Sequence, residues 1–324
     1  MRQRSRAPRA PPDSAELTDG RVVASHGHHQ VEVEDAGGRR VACRLHGRRL
    51  AVVCGDDVRW GYDSSDPSQA IVYEIKPRRA MLARLAGGGQ VEPVVANLTQ
   101  LVAVAAHVPA PDWFVVDRYL AGAAWCGVGA IVALNKIELE ASADLGRELA
   151  VYESIGYPIA RTSARAAPGI GALVDRLKGH VSVLVGQSGT GKSSLLNALA
   201  PEARAVTQEI SQASEEGRHT TTTAALHRLA SGGDLIDSPG VRDYAPPLPS
   251  IRDIGSGFVE IVRAAAECRF QDCLHASEPA CAVREAVKGG QIHGRRFESY
   301  RRLMELAREF AARFPERKTR DRVR

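Results

Sequence analysis

The sequence predicts a multidomain α/β protein with an N-terminal β-barrel, a central parallel-sheet domain and a small C-terminal helical unit. Three observations carry this. Between residues 20 and 91, short alternating stretches such as Val31-Glu32-Val33-Glu34, Arg40-Val41-Ala42-Cys43 and Leu50-Ala51-Val52-Val53-Cys54 are separated by Gly-rich turns, which is the pattern of a small barrel. Ala130-Ile131-Val132-Ala133-Leu134 and Val181-Ser182-Val183-Leu184-Val185 are short, almost wholly apolar runs, as strands buried on both faces of a parallel sheet must be. Beyond them, short helix-like segments surround a cluster of Cys and His. At 324 residues the chain exceeds one ordinary domain. The expected division is a basic, disordered arm at 1–19, the barrel at 20–92, the α/β domain at 93–245 and the helical unit with its basic tail at 246–324.

With 44% apolar and 25% charged residues the composition is that of a soluble globular protein. The Gly- and Ala-rich stretch from Leu120 to Leu134 is too short for the roughly 20 residues of a spanning helix, so no membrane role is expected. The Arg-rich N-terminus lacks the apolar core of a secretory signal. The expectation is therefore a reducing cytoplasm, where the six cysteines stay unpaired. Cys43, Cys54 and Cys126 read as packing residues. A formal charge of +5 and a pI near 9.0 favour a polyanionic partner only weakly. The charge is concentrated at Arg2, Arg4, Arg6 and Arg9, and from Arg284 to Arg324, where Lys and Arg outnumber acids roughly two to one. Two solvated tails and direct phosphate contact both account for this.

After the strand at 181–185 comes Gly186-Gln187-Ser188-Gly189-Thr190-Gly191-Lys192-Ser193-Ser194, a full match to G-x-x-x-x-G-K-[ST]. Its glycines let successive amides converge on phosphates at the start of a helix. Lys192 is expected to reach the β- and γ-phosphates, and the Ser193 hydroxyl to ligate Mg²⁺. The base-reading element lies upstream. The strand at 130–134 ends in Asn135-Lys136-Ile137-Glu138, close to the N-K-x-D with which GTPases bind the guanine edge through a carboxylate. Thr162-Ser163-Ala164 resembles the S-A element of the same pocket. Glu138 in place of aspartate adds a methylene, so the fork to guanine is kept only if the loop backs away.

These pieces ordinarily follow the phosphate loop, whereas here Asn135 precedes Gly186 by 51 positions. The motif order is circularly permuted, which a sheet tolerates when the original termini lie close together. Asp237-Ser238-Pro239-Gly240 matches the D-x-x-G that senses the γ-phosphate, with Asp237 holding Mg²⁺ through water and Gly240 donating its amide. Gly217-Arg218-His219-Thr220-Thr221-Thr222 lies where a Mg²⁺-binding threonine is expected, and Thr221 is favoured over an ordinary Thr-rich turn. Val241 stands where many GTPases have the glutamine that orients water, so another group must act. His219 is the candidate within the chain, and a partner is the alternative.

Cys268, Cys273, His275 and Cys281 form C-x₄-C-x-H-x₅-C, a thiolate and imidazole set that suits one closed, structural Zn²⁺ although the spacing is unusual. With Ala96-Asn97, Asp117-Arg118-Tyr119-Leu120, Gly55-Asp56-Asp57-Val58 and the permuted motifs above, the chain from about Gly20 to Tyr300 resembles the RsgA family of bacterial ribosome-biogenesis GTPases. The resemblance implies that the barrel is an OB-fold, that the nucleotide is GTP or GDP, and that the partner is the small ribosomal subunit and its rRNA. It also implies action late in assembly with departure on hydrolysis, and a monomer is expected. A nucleotide-gated RNA-binding protein with negligible turnover and an unrelated ATPase are the rival readings.

Overall fold

The computed structural model describes residues 17–26, 30–47, 50–86, 89–139, 143–201, 223–242 and 244–314. The loop holding His219 and Thr221, and the terminal arginines outside these ranges, lie outside the described residues.

Strands β1 (Thr18–His26), β2 (Gln30–Asp35), β3 (Arg40–Leu45), β4 (Asp57–Asp63) and β5 (Asp66–Ile75) run in the order β1-β2-β3-β5-β4, and β4 returns to pair with β1. The barrel is therefore closed, with no free edge. The β3–β5 pairing is parallel and the others antiparallel, the five-stranded arrangement of an OB-fold. Inward residues Val22, Val31, Val33, Cys43, Val58, Trp60, Ala70 and Val72 fill it. Residues 50–54, which the sequence suggested as a strand, are not one. Asp56 Oδ2 accepts the Val53 amide at 2.9 Å and the Asp56 amide donates to Val53 O at 3.1 Å. This local turn takes up backbone groups a ladder would need. Arg78 seals the turn through Nε and Nη2 to Asp56 at 2.7 and 2.8 Å.

A separate hairpin, β6 (Met81–Leu85) and β7 (Val91–Ala96), leads into the α/β domain. There β8 (Gln100–Ala106), β9 (Gly129–Asn135), β10 (Ile159–Arg161), β11 (Val181–Val185), β12 (Thr223–Arg228) and β13 (Asp234–Asp237) lie in the order β10-β9-β8-β11-β13-β12. All neighbours are parallel except β12–β13. Pleat alternation divides the sheet between two cores. Leu101, Ala103, Val132 and Val183 face helices α1 (Trp113–Trp125) and α2 (Ala143–Ile155). Val102, Val104, Ile131 and Ala133 face α3 (Gly171–Leu177) and α4 (Lys192–Leu199). The barrel joins this sheet edge to edge through Ala24–Ala225, Ser25–Ala224 and His26–Thr223, giving one sheet of 11 strands.

After the short helix α5 (Pro239–Arg242), a 3₁₀ turn at Ile251–Gly257 leads to α6 (Val259–Ala265), α7 (Ala282–Lys288) and the long α8 (Gly294–Arg313). These helices have a core of their own around Phe258, Ile261, Val283, Tyr300, Leu303 and Met304, to which α1 contributes Ala121. No described helix is long and apolar enough to cross a membrane.

The helical unit is fastened to the α/β domain by buried charge. Arg296 and Asp117 are both 0% exposed. Arg296 donates to Asp117 at 2.8 Å and to both Glu260 oxygens at 2.7 and 3.1 Å. Arg295 adds bonds to Asp117 at 2.7 Å and to Glu148 at 2.6 Å, and the Tyr152 hydroxyl donates to Asp117 at 2.6 Å. So Arg295 and Arg296, counted in the sequence with a basic tail, are interior ties. Removing one partner of such a cluster strands the others in low dielectric, which costs about 3–5 kcal/mol. Asp117→Ala should therefore lower unfolding stability by about that amount in urea titration, with the helical unit losing protection first in hydrogen exchange.

Candidate active site and metal centre

Residues 186–194 wrap between β11 and α4 with the backbone that their glycines permit. Gly186, Gly189 and Gly191 have φ of 154°, 82° and 92°. A Cβ on Gly186 would stand 2.3 Å from Val104 O, and one on Gly191 would stand 2.3 Å from Asn135 Nδ2. The second contact ties the phosphate loop to the base-reading loop. Asn135 is buried at the end of β9, donates from Nδ2 to Thr190 O at 3.0 Å and accepts from Thr162 Oγ1 at 3.3 Å. Lys136, at φ 64°, sends Nζ to Gly189 O and Val108 O, both at 2.7 Å. Gln187 reaches the other way and accepts the Asp112 amide at 2.8 Å at the cap of α1. Val108 and Asp112 were not legible as site residues, because neither lies in a motif, whereas Thr162 was read only as the start of Thr162-Ser163-Ala164 and not as the partner of Asn135.

Asn135, Lys136, Glu138, Leu139, Ala164, Arg165, Ser188, Gly189 and Gly191 to Ser194 line one cavity of about 590 Å³. Ser163 is buried behind it and accepts the Arg165 and Ala166 amides. Ile137, half-buried, packs against the core beneath. The Glu138 carboxyl is held below the ordinary range of a glutamate, first by a hydrogen bond from the Ser163 side chain and then by its own backbone amide. The charged form that guanine recognition needs is thus the favoured one. Lys192 donates to Gly186 O at 2.6 Å and Gln187 O at 2.8 Å at the mouth of the loop. Lys192, Ser193 and Asp237 line one adjoining cleft. A hydroxyl and a carboxylate in the same cleft as an ammonium are a donor set that fits a phosphate-bound Mg²⁺. Gly240 follows at the start of α5, and Val241 is buried in the core behind it.

In the loop between α6 and α7, the ligand atoms of Cys268, Cys273, His275 and Cys281 all lie within 4.8 Å of one another. Cys268 Sγ is 4.0 Å from Cys281 Sγ and 3.7 Å from His275 Nδ1, and Cys281 Sγ is 3.4 Å from that nitrogen. Tetrahedral zinc sets S–S edges of about 3.8 Å and S–N edges of about 3.5 Å, so the set fits. The sequence did not single out Glu278 for this loop. Its carboxylate accepts the amides of Leu274, Ala276 and Ser277 at 2.9, 2.8 and 3.0 Å, and Tyr300 donates its hydroxyl to Leu274 O at 2.7 Å. Burial opposes charge on Glu278, but its own amide and these three outweigh it and keep the carboxyl below the usual range.

A family model described as RsgA GTPase matches residues 75–245. A small ribosomal subunit biogenesis GTPase RsgA from Chromohalobacter salexigens is 40% identical over 291 residues, covering 88% of this chain and 85% of that protein. The protein of the same name from Pseudomonas savastanoi pv. phaseolicola is 39% identical over 290 residues, with 87% and 84% covered. The chain belongs to the RsgA GTPase family. Among solved structures, YjeQ from Thermotoga maritima superposes with a TM-score of 0.71 at 30% identity, covering 90% of this chain and 98% of that one. YloQ, described as a circularly permuted GTPase, gives 0.71 at 25% identity, with 95% and 100% covered. The resemblance read from the motifs is borne out, and so is the permuted order. The activity of this RsgA-family chain is GTP hydrolysis.

Two outcomes follow from these geometries. Because Ser163 holds Glu138 ionised, the ratio of GDP to IDP affinity, which cancels phosphate protonation and isolates the guanine amino group, should stay constant from about pH 8 to about pH 5. A group with a lowered pKa loses its charge only as pH falls past that lowered value, so a decline inside this window would contradict the assignment. Glu278→Ala should weaken metal retention about 10–100-fold in chelator competition, since a loop that orients ligands loses three tethers at once.

Proposed function

We propose that this chain is a GTPase of late small-subunit maturation, which binds rRNA in the GTP state and leaves the subunit on hydrolysis. The observation that carries the reading is the single cavity shared by the phosphate loop and two base-reading loops that lie upstream of it in the chain. In this reading Asn135 locks the two loops together, Lys136 and Ile137 shape the base pocket, and Glu138 reads guanine with Ser163 and Ala164 behind it. The amides of Gly186, Gln187, Ser188, Gly189, Thr190 and Gly191 wrap the phosphates, with Lys192 on the β- and γ-phosphates and Ser194 in the first turn of the helix. Ser193 and Asp237, with Thr221, hold Mg²⁺, which neutralises phosphate charge when bound. Gly240 donates to the γ-phosphate. Cys268, Cys273, His275 and Cys281 hold one structural zinc that keeps the loop between α6 and α7 folded.

Among the described residues no water-orienting group follows Gly240, because Val241 is an aliphatic side chain committed to the core. His219 is the proposed group within the chain, completed by contact with the subunit. Supporting the rRNA partner are the basic termini and the OB-type barrel, whose arginines suit a sugar–phosphate backbone. The protein is proposed to act as a cytoplasmic monomer, with units at 1–19, 20–92, 93–245 and 246–324.

A second reading, a nucleotide-gated rRNA-binding protein with negligible turnover, is favoured by the same buried Val241. Steady-state phosphate release separates the two. With isolated small subunits, GTP turnover should rise roughly tenfold or more, remain unmatched by ATP and vanish in Lys192→Ala. Turnover that stays flat on adding subunits would leave the second reading.

A further inference from the structure

The hairpin of residues 81–96 touches three parts of the molecule that are remote in sequence. Its inward side chains Leu82, Val94 and Val95 share one buried cluster with Val23 and Cys54 of the barrel and with Val241 and Tyr244 beyond the D-x-x-G segment. At three points it meets a neighbour with no space to spare. A Cβ on Gly55 of the barrel would stand 2.1 Å from Ala96 O. On Gly240, a Cβ would stand 2.9 Å from Val94 Cγ1. At the hairpin's own tip, a Cβ on Gly89 would lie 3.0 Å from the ring of Phe314, just beyond α8.

The barrel end of this chain of contacts is fixed by hydrogen bonds. The Ala96 amide donates to Cys54 O at 3.0 Å, Asn97 Nδ2 donates to Gly55 O at 3.0 Å, and Asn97 Oδ1 accepts the Arg79 amide at 2.9 Å. At the Gly240 end the close contact is a side chain, Val94. A β-branched side chain is stiff about χ1, so a shift of Gly240 cannot be absorbed by a change of rotamer. Packed interiors have few voids into which the shift could be lost.

We propose that Val94 is a positioning residue for the γ-phosphate sensor: it sets the place of Gly240, and it passes displacements of Gly240 through the hairpin to the barrel. This rests on the reading of Gly240 as the γ-phosphate donor. It adds a defined route by which the nucleotide state reaches the OB-type surface. Movement of Gly240 on gaining or losing its phosphate partner pushes or releases Val94. The strand carrying Val94 is hydrogen-bonded to the barrel two residues later.

The test uses the full-length protein and fluorescent derivatives of GDP and of a non-hydrolysable GTP analogue. Val94→Ala removes two methyl groups from the contact and should weaken the analogue roughly fivefold or more, while GDP affinity changes less than about twofold. Val94→Thr, which keeps the branch and nearly the volume, should lose less selectivity for the analogue than Val94→Ala. Gly240→Ala should also weaken the analogue selectively, and adding Val94→Ala to it should recover affinity, because the new methyl then has room. In wild type, amide exchange at residues 91–97 and 53–56 should differ between the analogue and GDP, and in Val94→Ala that difference should vanish. Equal losses for both nucleotides in Val94→Ala, together with state-independent exchange, would reduce Val94 to ordinary packing and overturn the proposal. If Gly240→Ala alone leaves the analogue-to-GDP ratio at its wild-type value, the failure lies in the reading of Gly240, and the proposal falls with it. Neither result would touch the Lys192→Ala outcome, which tests GTP hydrolysis separately.

Discussion

The guanidinium of Arg296 is the contact on which the rest of the architecture depends. It is fully buried, and its charge is met by Asp117 from α1 and Glu260 from α6, with Phe258 stacked 4.7 Å away. An unpaired charge in that place would be untenable, so α1, α6 and α8 must assemble together. The arrangement is a weak source of net stability, since apolar residues of similar volume could serve. Its value is that it fixes one relative placement of the helical unit and the α/β domain. Gly257 reinforces this, because a Cβ there would lie 2.7 Å from Ala121 Cβ and from Trp125 Nε1.

The barrel is attached differently. Three residue pairs join β1 to β12, and ion pairs reach across from Arg21 to Asp234 at 3.5 Å and from Arg228 to Glu34. Arg228 is 67% exposed, so solvent and salt screen its bond. The helical unit is thus held to the α/β domain by buried charge and a shared core, and the barrel by a short ladder, partly screened ions and the hairpin. Permutation makes this difference consequential. The strand that pairs with the barrel, β12, comes directly before β13 and the D-x-x-G segment, which leads directly toward the helical unit. The chain on either side of β12 and β13 therefore leads to attachments of different kinds, a short ladder with partly screened ions at the barrel and buried charge at the helical unit.

What could be read from the sequence follows from how local each constraint is. The phosphate loop and the clustered Cys268, Cys273, His275 and Cys281 were legible because their chemistry dictates residue type and spacing over a dozen positions. The barrel as a class was legible, and so were β2 at 31–34 and β3 at 40–43, but the remaining strands were not. Alternation at 50–54 mimicked a strand because Val52 and Cys54 are buried, while Asp56 had already claimed the local backbone. Strands β4 and β5 went unread because the Asp and Ser residues of their turn bond to one another, and sequence alone does not disclose which face is buried. The Asp117-Arg118 signature was visible without its meaning. The partner that explains Asp117 lies 179 positions away, in a segment whose composition resembles a solvated basic tail.

Val241 draws these threads together. A glutamine at this position must face the phosphates to orient water, and a side chain that faces water cannot also anchor a core. Val241 is 1% exposed and packs in the cluster that includes Val94, Val95, Val23 and Cys54. The aliphatic side chain gives up a catalytic contact and in exchange fastens the sensor segment to the hairpin and, through it, to the barrel. Two properties then arise from one residue: Val241 itself orients no water beside Gly240, and the segment carrying Gly240 packs into the same cluster as Val23 and Cys54 of the barrel. The residue that follows Gly240 and this face of the barrel are thereby packed in one cluster, so neither can be repositioned without repacking Val94 and Val95 between them.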